Sequence, residues 1–153
     1  GWWSRGLGDV YKRQDKILIC QPNDNIAAFM GELSAEYLLK KNIRGYIADG
    51  GCRDVEFINN INFPVWSKFN TPKDVVGYWK PDALEEQITI GDVIINNNDY
   101  VMADIDGVVI IPENNIMDIL EKSELLINTE SKVRQSIREG MDPQEAYIKY
   151  SAF

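Results

Sequence analysis

At 153 residues, 44% hydrophobic and 26% charged, the chain suits one soluble domain with a substantial core. Its 16 basic and 24 acidic residues give a net charge of −8, which argues against nucleic acid and anionic membrane as partners. No apolar run approaches bilayer length, and none of the chain reads as a secretory signal. Histidine is absent, so acid–base chemistry falls to carboxylates, Lys, Tyr, Cys or bound water. Two cysteines, Cys20 and Cys52, have neither metal spacing nor the density of a secreted disulfide scaffold, which points to the reducing cytoplasm.

The first fourteen residues, GWWSRGLGDVYKRQ, show no hydrophobic period. Asp9–Gln14, DVYKRQ, resembles the translated read-through of a sequencing-library adapter. Residues 1–14 are therefore expected to be foreign, with residues 15–153 forming a partial domain whose native start lies further upstream. Asp15–Cys20 reads as a short apolar strand, and Gln21–Asn25 as a polar turn. From Ile26 to Lys41 apolar residues recur at helical spacing; Gly31 interrupts them, which places the helix start near Glu32.

The stretch GYIADGGCRDVE, Gly45–Glu56, is the centre of the chain's organisation. It predicts a buried strand ending at Ala48, a tight turn at Gly50 and Gly51, and the charged pair Arg53–Asp54 at the mouth of a helix. α/β proteins commonly place ligands at the carboxyl ends of such strands. A helix over Val55–Ile61 stops before Pro64, and Val65–Phe69 is a further strand. Four short strands come next, at 88–90, 93–95, 100–103 and 108–111, and their density predicts a β-meander or sandwich layer rather than a doubly wound sheet. Asn114–Gly140 is a long amphipathic helix with an expected break near Asn128, and Met141–Pro143 opens a last helical turn. No linker marks a second domain.

Two stretches, GELSAEYLLKKNIRGYIADGGCRDVEFINNINFPVWSKFNTP and IGDVIINNNDYVMADIDGVVIIP, resemble the RraA-like family. The tail EGMDPQEAYIKYSAF is similar as well, and the resemblance runs from about Asp15 to the C-terminus with the first third of the family's chain missing. That family holds the class II 4-hydroxy-4-methyl-2-oxoglutarate aldolases and protein regulators of a ribonuclease. The resemblance implies an α/β, three-layer β/β/α swivelling-domain fold, assembled as a homotrimer or hexamer with the site between subunits.

It also implies a metal-dependent lyase acting on a small 2-oxo acid. Cleaving a carbon–carbon bond beside a keto acid requires that the developing enolate be held, a task suited to Mg²⁺ or Mn²⁺. Asp54 matches the family's metal anchor, a hard oxygen donor. Arg53 would clamp substrate oxygens. The turn Gly31, Glu32, Leu33 and Ser34 matches the family's substrate-contacting turn, with the Leu33 and Ser34 N–H groups expected to receive the pyruvyl carboxylate. Glu32, twenty-one positions before Arg53, stands where the aldolases carry an acidic residue and would take the C4-hydroxyl proton through a water. Some aldolases have aspartate there. The same enolate forms in oxaloacetate decarboxylation.

Each residue also has a plainer reading. Arg53–Asp54 alone is most often a surface ion pair, with Asp54 capping the helix after it. Glu32 alone is a first-turn glutamate complementing a helix dipole. Cys52 is either a nucleophile beside Arg53 or, lacking a base, a small packed residue. Asp104 and Asp106 suggest a metal site or, more simply, a hairpin turn. Trp66, Tyr78 and Trp79 line a pocket or make core contacts. Asp49 stands between a group supporting the site from behind and a turn former. Glu121, Glu124, Glu130 and Glu139 form a solvated face. The rival to the lyase is a non-catalytic regulator of a ribonuclease, a branch that generally lacks the intact Arg–Asp pair.

Overall fold

The structure is a computed structural model and describes residues 15–150, so the foreign segment expected at 1–14 lies outside the described residues. In chain order the elements are β1 (Ile17–Cys20), α1 (Glu32–Lys40), β2 (Gly45–Cys52), α2 (Val55–Asn60), β3 (Val65–Asn70), β4 (Ile88–Ile90), β5 (Val93–Ile95), β6 (Tyr100–Ala103), β7 (Val108–Ile111), α3 (Ile116–Arg138) and α4 (Pro143–Tyr150). A single 3₁₀ turn, Glu113–Asn115, precedes α3. The described chain divides between Ile110 and Ile111 into two compact units, where no composition shift suggested a second one.

In the first unit β1, β2 and β3 form a parallel sheet in that order, with α1 and α2 as the crossovers. Met30, Ala35, Leu38, Ile43, Ile58 and Phe63 are the buried side chains between sheet and helices. Burying each contributes about 1.5–3 kcal/mol for the larger aliphatic and aromatic groups. Helix α1 starts at Glu32 as the Gly31 interruption predicts, and Asn42 at φ +58° ends it, a left-handed position that asparagine tolerates.

The tight turn expected at Gly50 and Gly51 is instead strand. β2 continues to Cys52, with an irregular register against β3 between Ala48 and Gly51. These glycines are required by close packing rather than by turning: a Cβ on Gly50 would lie 2.6 Å from the Phe29 ring, and one on Gly51 2.6 Å from the Ala27 carbonyl oxygen. Asp49 is accordingly a strand residue and not a turn former. The turn falls three residues after Gly51, at Asp54, whose φ is +56°.

The short strands do not join one meander. β4 and β5 form one antiparallel hairpin, and β6 and β7 pair across a second turn. There Asp104 N–H donates to the Gly107 carbonyl (3.0 Å) and Asp106 N–H to Asp104 Oδ1 (2.8 Å), which favours the hairpin reading of these aspartates. The Trp66 indole N–H donates to the Asp104 carbonyl at 2.8 Å and ties β3 to this hairpin.

The second unit is a helical pair. α3 runs unbroken through Asn128, because one asparagine costs a fraction of a kcal/mol in a long helix rich in Leu, Glu and Lys. Gly140 at φ +96° terminates it, and Asp142 caps α4 through the Gln144 and Glu145 N–H groups, with Pro143 in the first turn. Val133, Ser136 and Ala146 are its buried residues, and the four glutamates of the predicted solvated face are exposed.

Candidate active site

The end of β2 and the start of α1 meet. Arg53 N–H donates to the Met30 carbonyl at 2.9 Å, which brings the 53–54 turn against the 30–32 turn. Asp54 sits at the N-cap position of α2 but makes no side-chain bond to that helix. Its Oδ2 accepts the Glu32 N–H at 3.0 Å instead, so it caps α1, and the plain expectation that it caps the following helix is corrected. The first helical bond of α1 runs from Ala35 N–H to Gly31 O, which leaves the Leu33 and Ser34 N–H groups outside the helical ladder. A side chain at Gly31 would force its neighbours to shift, since a Cβ would lie 2.8 Å from Arg53 Nε and 2.9 Å from Asp54 Oδ2.

The structure thus gathers Gly31, Glu32, Arg53 and Asp54 in one place, with Leu33 and Ser34 in the first turn beside them. Arg53 Nε is 3.4 Å from Asp54 Oδ2, and both side chains are about one-third exposed. Among the described residues no group of three or more Cys, Asp or Glu converges as a ready metal cage. The donor available to a cation is the Asp54 carboxylate, one oxygen of which is fixed by α1.

Asp74 was not legible from sequence. Its Oδ2 lies 2.6 Å from Arg53 Nη1, and this bond holds its carboxyl below the usual range while raising the Arg53 guanidinium further. Its only signal is an aspartate just after the Thr71–Pro72 turn. Tyr78 and Trp79 fasten that same loop: the Tyr78 hydroxyl donates to Asp24 Oδ2 (2.5 Å), the Trp79 indole N–H donates to the Pro22 carbonyl (2.9 Å), and Trp79 packs edge-on against Phe29.

Cys52 is a packed residue. It is 2% exposed, and burial, followed by the neighbouring Asp54 charge, pushes its thiol up to about 11. Asp49 Oδ1 pairs with Lys68 Nζ at 2.5 Å, an ion contact without hydrogen-bond alignment. A separate cavity of about 890 Å³ is lined by Ile47, Trp66, Ile90, Ile95, Val109 and the Asp49–Lys68 pair. Glu32, Arg53 and Asp54 do not line it, so this cavity is apart from the charged cluster.

The Arg53–Asp54 pair thus lies at the end of a central parallel strand and faces a Gly-Glu helix start, a position where α/β proteins commonly place ligands. Residues 10–110 match the RraA-like (Aldolase/RraA) family, and the chain belongs to it. An uncharacterised protein of Methanocaldococcus jannaschii is 32% identical over 118 residues, 75% of this chain and 55% of that protein. A Halalkalibacterium halodurans protein, provisionally named a 4-hydroxy-4-methyl-2-oxoglutarate aldolase, is 24% identical over 88% of this chain and 64% of its own. The chain therefore spans roughly half to two-thirds of the length of these relatives. A Pseudomonas syringae pv. tomato crystal structure superposes with a TM-score of 0.88 at 19% identity, covering 96% of this chain and 69% of that one. RraAS2 of Streptomyces coelicolor, described as an unusual member of the RNase ES inhibitor RraA family, gives 0.76 at 23% identity over 85% and 68%. The fold is the α/β RraA fold, as the resemblance implies.

Proposed function

We propose that the chain acts as a divalent-metal-dependent lyase that cleaves a 4-hydroxy-2-oxo acid, such as 4-hydroxy-4-methyl-2-oxoglutarate, to pyruvate, and that the same site decarboxylates oxaloacetate. The observation that carries this reading is the Asp54 carboxylate held between the Glu32 N–H (3.0 Å) and Arg53 Nε (3.4 Å). An aldol substrate carries a carboxylate, a keto oxygen and a hydroxyl, and the cluster offers the Arg53 cation, the first-turn amides of Leu33 and Ser34, and the Glu32 carboxylate.

The Asp54 carboxylate suits Mg²⁺ or Mn²⁺ as a single hard donor, because such ions keep most of their waters. When bound, the ion supplies Lewis-acid polarisation of the keto oxygen. The Leu33 and Ser34 N–H groups receive the substrate carboxylate at the positive end of α1. Glu32 accepts the C4-hydroxyl proton through a water as the C3–C4 bond breaks and the hydroxyl carbon becomes a carbonyl. The released electron pair forms the pyruvate enolate, which Arg53 steadies until C3 is protonated. With oxaloacetate, the bond to the departing carbon dioxide breaks instead.

A homotrimer or hexamer, in which a neighbouring subunit completes the site, belongs to this proposal. Action in the cytoplasm fits the two free cysteines Cys20 and Cys52, and among the described residues no helix is long and apolar enough to cross a membrane. Relatives of the enzyme and regulator branches share the fold, so the intact Arg53–Asp54 pair is what favours the enzyme. The test is pyruvate release from both substrates with Mg²⁺ or Mn²⁺, before and after EDTA. Activity lost on chelation and restored by metal supports the reading. Turnover that persists in EDTA removes the metal role, and no turnover at all favours the ribonuclease regulator.

A further inference from the structure

We infer that Asp74 is the positioning residue for Arg53: it is held by its own loop so that the guanidinium keeps one plane toward an anionic substrate. The inference rests on the lyase reading above. Both Asp74 oxygens are committed, Oδ2 to Arg53 Nη1 at 2.6 Å and Oδ1 to the Val76 N–H at 3.0 Å. The carboxylate is thereby fixed to its backbone before it meets the arginine.

A one-third-exposed arginine normally keeps many rotamers, and ordering it costs conformational entropy. Around Arg53 that freedom is removed on three sides. Asp74 holds Nη1, Asp54 Oδ2 lies 3.4 Å from Nε, and the Gly31 backbone is so close that a Cβ would stand 3.1 Å from Arg53 Cγ. Among the described residues the remaining guanidinium donors stay available for a carboxylate or enolate oxygen.

The loop that carries Asp74 is itself fastened at both ends. Thr71 N–H donates to the Cys52 carbonyl (3.0 Å) and Ala28 N–H to the Lys73 carbonyl (2.9 Å). Downstream, Tyr78 bonds Asp24 and Trp79 bonds Pro22 while stacking edge-on to Phe29 with ring centroids 5.0 Å apart. Half-exposed ion pairs add little to stability, so this framework around a single carboxylate is better accounted for by orientation. A plain counter-ion gives the opposite outcome on removal: the site loses a negative charge beside Arg53 and binds anions more tightly.

The two outcomes separate in Asp74→Asn, which can still accept the Val76 N–H. The expected result with oxaloacetate is a fall in kcat of about tenfold to a hundredfold with little change in KM, and partial recovery in Asp74→Glu. An unchanged kcat with a lowered KM overturns the inference and leaves Asp74 a counter-ion. Should the parent chain release no pyruvate, the lyase reading fails, and the inference is then decided by the ¹⁵N side-chain spectrum of Arg53. Separate, slowly exchanging Nη signals that merge in Asp74→Asn sustain it; merged signals in the parent chain overturn it.

Discussion

The Asp54 carboxylate accepts the Glu32 N–H at 3.0 Å, so α1 begins on a side chain that belongs to the turn before α2. One residue thereby joins two turns twenty-two positions apart and sets the spacing between Glu32 and the Arg53 guanidinium. Asp54 also occupies the left-handed region at φ +56°, which asparagine tolerates and alanine does not. Asp54→Asn should therefore keep its fold, since the amide oxygen can still cap α1, while losing about a hundredfold or more in turnover with the anionic donor gone. Asp54→Ala should lose the same activity and also about 1–2 kcal/mol of stability, from the missing cap and the strained backbone. Thermal melts beside pyruvate-release assays separate the two effects. Equal turnover in Asp54→Asn and the parent would remove Asp54 from the chemistry.

Gly31 gives a second, steric test of the same junction. Its φ of −150° is ordinary extended backbone, so alanine is not strained by conformation. The obstacle is contact: the added methyl would sit 2.8 Å from Arg53 Nε and 2.9 Å from Asp54 Oδ2. Gly31→Ala should push these two side chains aside, costing about 1–3 kcal/mol and lowering kcat/KM about a hundredfold. Turnover equal to that of the parent would mean that this juxtaposition is not used.

What the sequence made legible is local and periodic. The start of α1 follows from Gly31 interrupting a helical run, and the four short strands follow from turn residues between β-branched pairs. The course of β2 through Gly50 and Gly51 was not legible, because a double glycine signals a turn equally well as it signals close packing against Phe29 and Ala27. The direction of the Asp54 carboxylate was equally hidden, since the N-cap position alone does not say which of two helices the oxygen reaches. Asp74 needed the fold itself: no spacing rule connects it to Arg53 across an intervening helix and strand. The helical unit after Ile110 carries no linker composition, and its separateness comes from a small core of its own around Val133 and Ala146.

Cys52 stands one residue from Arg53, yet burial keeps its thiol protonated, with a value of about 11. At pH 8 it should resist a maleimide that labels it fully once guanidinium chloride unfolds the chain, as intact mass would show. Cys52→Ala should retain parent-like kcat and lose about 1 kcal/mol of stability, the mark of packing rather than chemistry. Rapid labelling of the native protein at Cys52, with loss of turnover, would revive the nucleophile.

The Asp24–Tyr78 bond sets a pH window for the loop that carries Asp74. The Tyr78 hydroxyl, with the Ala27 and Ile26 N–H groups, lowers the Asp24 carboxyl below its ordinary value. A carboxyl lowered on folding contributes stability above its unfolded value and loses it as pH falls through the folded one. Tyr78 is shifted the other way, upward, chiefly by its bond to Asp24. An acid raised on folding contributes below its unfolded value and loses that contribution as pH rises through the folded one. The latch should therefore hold from about pH 4 to about pH 10 and release on either side. Trp79, bonded to the Pro22 carbonyl next to this latch, reports the release. Its fluorescence, isolated by replacing the other tryptophans with phenylalanine, should stay flat across that window and change outside it. In Tyr78→Phe the alkaline change should vanish, whereas its persistence there would assign it to another group.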